Sequence, residues 1–258
     1  MKIIVLMKQV ANKDAVLRIG PDEKWINDSD ISHQTNESDG YALEEALRLK
    51  EAKGEGEVIV CSLGPQSAKA VIKDALARGA DRAIHVVVED SKKLSPFQIA
   101  KAIADAIREE NADLVLTGLQ SDDASYGQTG VILAELIGIP HATIVIEVDR
   151  ETSGETLRVK RELESGWYQW FTYQLPSLLT IQSGISQIRY ASLKGIMAAK
   201  KKEIRDVAPS IEDFAGAQTI QKVYMPLKTK QTQMLGNGDA KAGAVELVEK
   251  LRSEVRAF

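Results

Sequence analysis

The chain has 258 residues, 44% hydrophobic and 27% charged, enough for a sizeable core in one large domain or one with an appendage. Its net charge of −4 excludes a global basic field for nucleic acid. A single cysteine, Cys61, excludes an internal disulfide framework, and no apolar stretch reaches the roughly 20 residues that span a bilayer.

The opening MKIIVLMKQV is too short for a secretory apolar region with a cleavage site and reads as a first strand over residues 3–7. The expected compartment is the bacterial cytoplasm or an organelle matrix. A helix near residues 40–53 places Leu43, Ala46 and Leu47 on one face, with Asp39 as its N-cap. Residues 58–63 form a second buried strand, which makes Cys61 a core residue. Gly64 and Pro65 lead into a helix opened by Gln66 or Ser67 and ended by Gly79. Its Ala68, Val71, Ile72, Ala75 and Leu76 follow the helical period, as do Ile99, Ala102, Ile103, Ala106 and Ile107 after a strand at 83–88.

The segment 113–130, DLVLTGLQSDDASYGQTG, is the most informative stretch. A buried strand (114–117) opens at Gly118 into a Gly- and Ser/Asp-rich loop, and a helical pattern begins at Val131. Such a junction puts unpaired N–H groups at the carboxyl end of a sheet, a place suited to a phosphate or another anion. The loop matches neither common glycine-rich phosphate motif, so it indicates nucleotide binding by its chemistry alone.

After a strand at 143–148 the pattern changes. Residues 157–162 and 168–173 flank a Gly-containing turn and read as an antiparallel hairpin; a strand at 178–182 follows Pro176. Beyond Gly184 the βα order is gone. A helical stretch (193–202), an irregular Pro-containing stretch and a last helix (238–255) remain. Asp239 caps that helix, and Ala244, Leu247, Val248, Leu251 and Val255 form an apolar stripe that needs the main domain or another chain to pack on. The fold class is α/β: a doubly wound, mostly parallel sheet with helices on both faces, an added antiparallel hairpin and a C-terminal helical arm. The expected division is a nucleotide-binding domain over 1–188, holding the hairpin 157–173, and a recognition loop and arm over 189–258. Ligands of such sheets sit beyond the strand ends, here the loops after Met7, Leu63 and Gly118.

His33, His85 and His141 show no metal-ligand spacing, and no nucleophile motif is present. Asp122 and Asp123 suit either a ligand or a polar capping loop. Lys194 and Lys200 to Lys202 are either a solvated helix face or, with Leu193, Ile196 and Met197, an apolar anchor with steering charges; the plainer reading buries those three in the core. Trp167, Trp170 and Phe171 cover a ligand or interface, or form the hairpin's buried face.

Two segments resemble one family. VKRELESG (159–166) resembles the V-[KR]-R-E-[LI]-[ED]-G-G pattern of the electron-transfer flavoprotein β subunit, and RYASLKGIMAAKKK (189–202) resembles its recognition loop. The opening IIVLMKQV, NESDGYALEEALRLKE (36–51), SLGP (62–65), ALARGADRAIHV (75–86) and the loop 118–129 follow in family order.

The resemblance implies a heterodimer with an α subunit, which binds most of one FAD, while the β subunit holds an AMP without redox work. The dimer takes electrons from primary dehydrogenases, such as acyl-CoA dehydrogenases, and passes them to a quinone-linked oxidoreductase; the subunit is a carrier component and not itself an enzyme. By the resemblance the AMP site comprises Leu6, Asn36, Glu37, Ser38, Asp39, Leu63, Gly118, Leu119, Gln120, Ser121, Asp122, Asp123, Ala124, Ser125, Tyr126, Gly127, Gln128 and Thr129. Gln128 and Thr129 are the foremost phosphate donors, with Ser125 another candidate. Leu193 matches the dehydrogenase anchor, flanked by Tyr190, Ile196 and Met197. Glu162, with Arg161, matches a hairpin carboxylate that restrains the mobile flavin domain. The chain departs from relatives near Lys13 to Ala15, where an aromatic is missing, at Ser38, and at Ser165, where the hairpin pattern has glycine. Three other readings compete: a bifurcating relative with a second FAD in place of AMP, an adenine-nucleotide hydrolase or ligase, and a nucleotide-sensing stress module, which would not need the hairpin, the recognition segment or the long tail. The hydrolase or ligase would need a glycine-rich phosphate loop after the first strand, where this chain has Lys8 to Asn12 with no glycine pair.

Overall fold

The computed structural model describes residues 1–28, 31–149, 155–211, 219–227 and 232–256. Its first strand, β1 (Lys2–Leu6), sends alternate side chains to opposite layers. Ile3 and Val5 join one core with α1 (Glu37–Lys53) and α2 (Lys69–Arg78); Ile4 and Leu6 join the other with α3 (Pro96–Ile107) and α4 (Thr129–Ile137). Burial on both faces explains why β1, β4 (Glu57–Gly64), β5 (Arg82–Val87) and β6 (Leu114–Gly118) are mostly apolar, with Ser62 and His85 buried among them. The remaining strands are β7 (His141–Val148), β8 (Thr156–Glu162), β9 (Tyr168–Gln174), β10 (Ser177–Ile181) and β11 (Ile204–Val207).

The nine-stranded sheet has the order β11-β5-β4-β1-β6-β10-β7-β8-β9. All neighbours from β11 to β7 are parallel, and β8 and β9 add the expected antiparallel hairpin. The hairpin turns through Ser165 (φ 58°) and Gly166 (φ 78°), so Ser165 keeps the left-handed conformation that a glycine serves more easily. Strand order runs one way from β1 through β4 and the other way through β6. The loops after β1 and β6 therefore diverge, which makes a crevice at this switch point.

Four sequence expectations need correction. α1 begins at Glu37 with Asn36 as its N-cap, so Asp39 lies inside the first turn and caps nothing there. A short ladder pairs β2 (Gln9–Ala11) with β3 (His33–Thr35) where no strand was expected. The region beyond Gly184 does supply a strand: β11 pairs in parallel with β5 at the sheet edge. Its exposed Arg205 and Asp206 give it the charged character that protects edges and hide it from an apolar-run reading. α5 (Leu193–Ala199) stops short of Lys202, whose Nζ instead donates to the carbonyls of Leu76 (2.9 Å) and Ala80 (2.6 Å).

The chain forms two compact units, Met1–Lys222 and Val223–Phe258. The recognition segment and β11 belong to the first. The second carries α6 (Ala240–Lys250), capped as expected by Asp239, with a wider last turn over Leu251–Val255. Leu247, Val248 and Val255 of its stripe are exposed. Parts of the irregular stretch, residues 212–218 and 228–231, lie outside the described residues.

Asp39 sets the geometry of the crevice. Its Oδ2 accepts the Lys8 N–H (2.8 Å), just beyond β1, and its Oδ1 accepts the Gly118 N–H (3.0 Å), at the end of β6. Contact is close enough that a Cβ at Gly118 would run into Ser38 Oγ and Asp39 Oδ1. Burial pushes the Asp39 carboxyl from an ordinary 3.8 up to about 7, against the pull of the Lys8, Asn36 and Gly118 hydrogen bonds.

The native chain thus binds this proton more tightly than the unfolded chain. The stabilisation it gives is complete below pH 3.8 and is lost as pH rises through about 7. Urea unfolding at about pH 5 and about pH 8 should show wild type losing stability relative to Asp39→Asn, on top of a constant offset from the lost acceptor. Parallel pH profiles would show that the carboxylate is ionised throughout. Gly118→Ala should lower the thermal midpoint through overpacking of about 1–3 kcal/mol; an unchanged midpoint would mean that α1 can move away.

Candidate functional site

The crevice is a cleft of about 250 Å³, near the lower end of the range for small-molecule sites. Leu6, Cys61 and Thr117 lie at the strand ends, and Leu63, Leu94, Pro96, Ile99 and Ile103 add an apolar part to the lining beside the polar Glu89, Ser91 and Lys92. Of this apolar arm the sequence pointed to Leu63 alone; Leu94, Pro96, Ile99 and Ile103 escaped it. Ile99 and Ile103 repeat with the same helical period as residues that face only the core, so the pattern carries no sign of the cleft. The buried Cys61 thiol is pushed up to about 12 by desolvation, which leaves it inert as a nucleophile at neutral pH.

The polar arm ends on α4. Gln128 is its N-cap, no side chain caps it, and the first helical bond runs from Ile132 N–H to Gln128 O (3.0 Å). The N–H groups of Thr129, Gly130 and Val131 have no partner among the described residues, the open first turn that suits an anion. Gly130 lets this end approach the sheet: a Cβ there would stand 2.8 Å from Thr117 Oγ1 and 3.0 Å from Thr180 Cγ2.

Acidic residues beside an anion site would be repulsive unless occupied, and here they are. Asp122 Oδ2 accepts the Glu37 N–H (3.2 Å). Asp123 Oδ1 accepts from Lys8 Nζ (2.6 Å) and from the Ala124 N–H (2.7 Å). Asn36 stitches the start of α1 to the loop: its Nδ2 donates to Gln120 O (2.9 Å), and its Oδ1 accepts the Asp122 N–H (2.8 Å). Ser38 Oγ also donates to Gln120 O (2.9 Å), and Ser125 Oγ to Ser121 O (3.1 Å).

Of the residues singled out by sequence, Leu6, Asn36, Asp39, Leu63, Gly118, Leu119, Gln120, Ser121, Asp123, Ala124, Tyr126, Gly127, Gln128 and Thr129 line this one cleft. Glu37, Ser38, Asp122 and Ser125 stand behind its lining and shape the loop. Among the described residues no three His, Cys, Asp or Glu side chains gather as a metal set.

The segment after β10 is a separate feature. Leu193 is 83% exposed, Tyr190 96%, Met197 62% and Ile196 44%, so these residues are not core. Their base is rigid. The Arg189 N–H and Nε both donate to Glu44 Oε2 (3.0 and 2.9 Å), and its Nη2 donates to Glu44 Oε1 (3.0 Å) and Glu51 Oε2 (3.0 Å). Ser192 Oγ caps α5 by accepting the Gly195 N–H (3.1 Å). A Cβ at Gly195 would run into the Ala77 carbonyl oxygen, so α5 sits directly on the backbone of α2. The Lys202 ammonium, seated on the carbonyls of Leu76 in α2 and of Ala80 just beyond it, is withdrawn from the basic patch that the sequence pattern suggested.

In the hairpin, Arg161 Nη2 donates to Thr143 Oγ1 (3.0 Å), and Glu162 ends β8 opposite Tyr168. Neither lines the cleft. Phe171 packs on the core, whereas Trp167 and Trp170 are exposed, with the Arg158 guanidinium 4.4 Å from the Trp170 ring centre.

Comparison with known proteins bears on all three features. The electron transfer flavoprotein domain model matches residues 24–212. The chain is 33% identical to the electron transfer flavoprotein subunit beta of Methylophilus methylotrophus, covering 95% of this chain and 96% of that protein. It is 34% identical to the mitochondrial subunit beta of Oryza sativa subsp. indica over the full length of both. With the Homo sapiens subunit beta it shares 36% identity, over 81% of this chain and 82% of that protein. Among the described residues no helix is long and apolar enough to cross a membrane. The apolar strand ends, the loop onto α4 and the seated segment after β10 thus occur in a chain that belongs to the electron transfer flavoprotein family, as one of its β subunits.

Proposed function

We propose that this chain pairs with an α subunit to form a heterodimer that carries electrons, and that it is not an enzyme by itself. The heterodimer takes electrons from primary dehydrogenases such as acyl-CoA dehydrogenases and delivers them to a quinone-linked oxidoreductase, in the bacterial cytoplasm or an organelle matrix. FAD, held mainly by the α subunit, supplies the redox chemistry. The observation that carries this reading is the outward presentation of Leu193 on a base fixed by Arg189 and Gly195. An exposed apolar knob on an ordered support is suited to docking a partner and releasing it again.

The cleft holds AMP in this reading. The residues fit the group: the open first turn of α4 meets the phosphate, with Gln128 and Thr129 beside it, while the apolar arm takes the flat base. The acidic loop tolerates the phosphate because Asp122 and Asp123 are turned onto protein donors. Glu162, which has no ionic partner among the described residues, is free to pair with a cation of the flavin-bearing domain, with Arg161 behind it. The exposed stripe of α6, in the unit Val223–Phe258, packs on the α subunit.

Acid release of ligands from the purified heterodimer, followed by chromatography, should give one FAD and one AMP per dimer. Two FAD and no AMP would replace this reading with that of a bifurcating protein. Leu193→Ala removes apolar burial worth roughly 2–3 kcal/mol, so the dehydrogenase-driven reduction should need about 30- to 150-fold more carrier. Flavin content and dimer should stay intact. A dimer that falls apart would place Leu193 in the subunit interface instead.

A further inference from the structure

We infer that the Lys8–Asp123 ion pair is a latch across the mouth of the cleft and sets how fast a bound nucleoside monophosphate leaves. This inference rests on the reading of the cleft as the AMP site. Lys8 follows β1, and its N–H is fixed by Asp39, so its backbone belongs to the rigid floor. Asp123 stands midway along the loop 118–129, 115 residues away in sequence. Both residues line the cleft, and the Lys8 ammonium joins the continuation of β1 to the loop through Asp123 Oδ1 (2.6 Å) and Ser121 Oγ (3.3 Å).

The other bonds that tie the loop down act on its near part. Asn36 and Ser38 hold Gln120, and Asn36 and Glu37 hold Asp122. Among the described residues, no hydrogen bond other than that from Lys8 joins the stretch 123–127 to another element. This stretch carries Tyr126 and Gly127 and leads into the open turn of α4. Moving it away from β1 therefore requires breaking the ion pair. The two side chains are 40% and 21% exposed, sheltered enough for the pair to count and wet enough for it to open. Burial acts to raise the Asp123 carboxyl, but the Lys8 charge and hydrogen bonds outweigh it and hold Asp123 below the usual carboxylate range, so Asp123 is a carboxylate at neutral pH.

The test uses the heterodimer with its α subunit, loaded with AMP and diluted into an enzymatic AMP trap. Lys8→Met keeps the aliphatic stem; Asp123→Asn keeps the oxygen that accepts the Ala124 N–H, so the loop retains its local support. Each should speed AMP release about fivefold, and the double variant should release no faster than either single one. Wild-type release should quicken with salt, and both variants should lose that dependence. Faster release from Lys8→Met together with slower release from Asp123→Asn would overturn the latch, because Lys8 would then serve the phosphate directly with the carboxylate as competitor. Unchanged rates in both variants would overturn it as well. A wild-type heterodimer that holds no AMP would fail earlier, by removing the site on which the latch rests.

Discussion

One buried carboxylate holds the functional end of the sheet together. At the switch point β1 and β6 run side by side and their continuations part, leaving the Lys8 and Gly118 N–H groups beyond the regular ladder. Asp39 receives both, one on each oxygen, from the first turn of α1. A carboxyl offers an acceptor oxygen to each donor; an amide could serve one donor and would turn its own N–H toward the other. The result is an element junction where helix, floor and loop are fixed together. The close approach at Gly118 and the ties from Asn36 and Ser38 to Gln120 follow from that spacing.

The molecule separates its two proposed tasks in space. The cleft lies at the carboxyl ends of the central strands. The docking segment is seated on α2, and none of Tyr190, Leu193, Ile196 and Met197 reaches the cleft lining. A substitution on one site therefore has no direct contact with the other. Acidic character is handled locally in the same spirit: Asp122 and Asp123 engage donors of the chain itself at the cleft, and Glu44 and Glu51 engage Arg189 beneath the other segment.

What the sequence made legible was what burial writes into it. β1, β4, β5 and β6 are covered on both faces and read as apolar runs; α1 and α2 cover one face and read by their period. The loop 118–129 stood out because glycine, serine and aspartate between a strand and a helix have few other uses. β11 stayed hidden because an edge strand of four residues with Arg205 and Asp206 buries little. Asp39 was mistaken for a cap because its residue type fits one; its real donors lie 31 and 79 residues away, a convergence that local pattern does not encode. The exposure of Leu193 was equally open from its apolar neighbours alone, since a stripe at helical spacing looks the same whether it faces a core or a solvent.

The seat of α5 has a kinetic consequence. Backbone contact at Gly195, the Ser192 cap and the Arg189 clamp order this segment before any visitor arrives. Encounter then requires no local folding, and little chain freedom is left to lose. Residence time on such a face is governed by the few side chains that stand clear of it. In the proposed docking role, exchanging the exposed Ile196 or Met197 for larger or smaller apolar residues would change how long a partner stays and leave its arrival rate as it was.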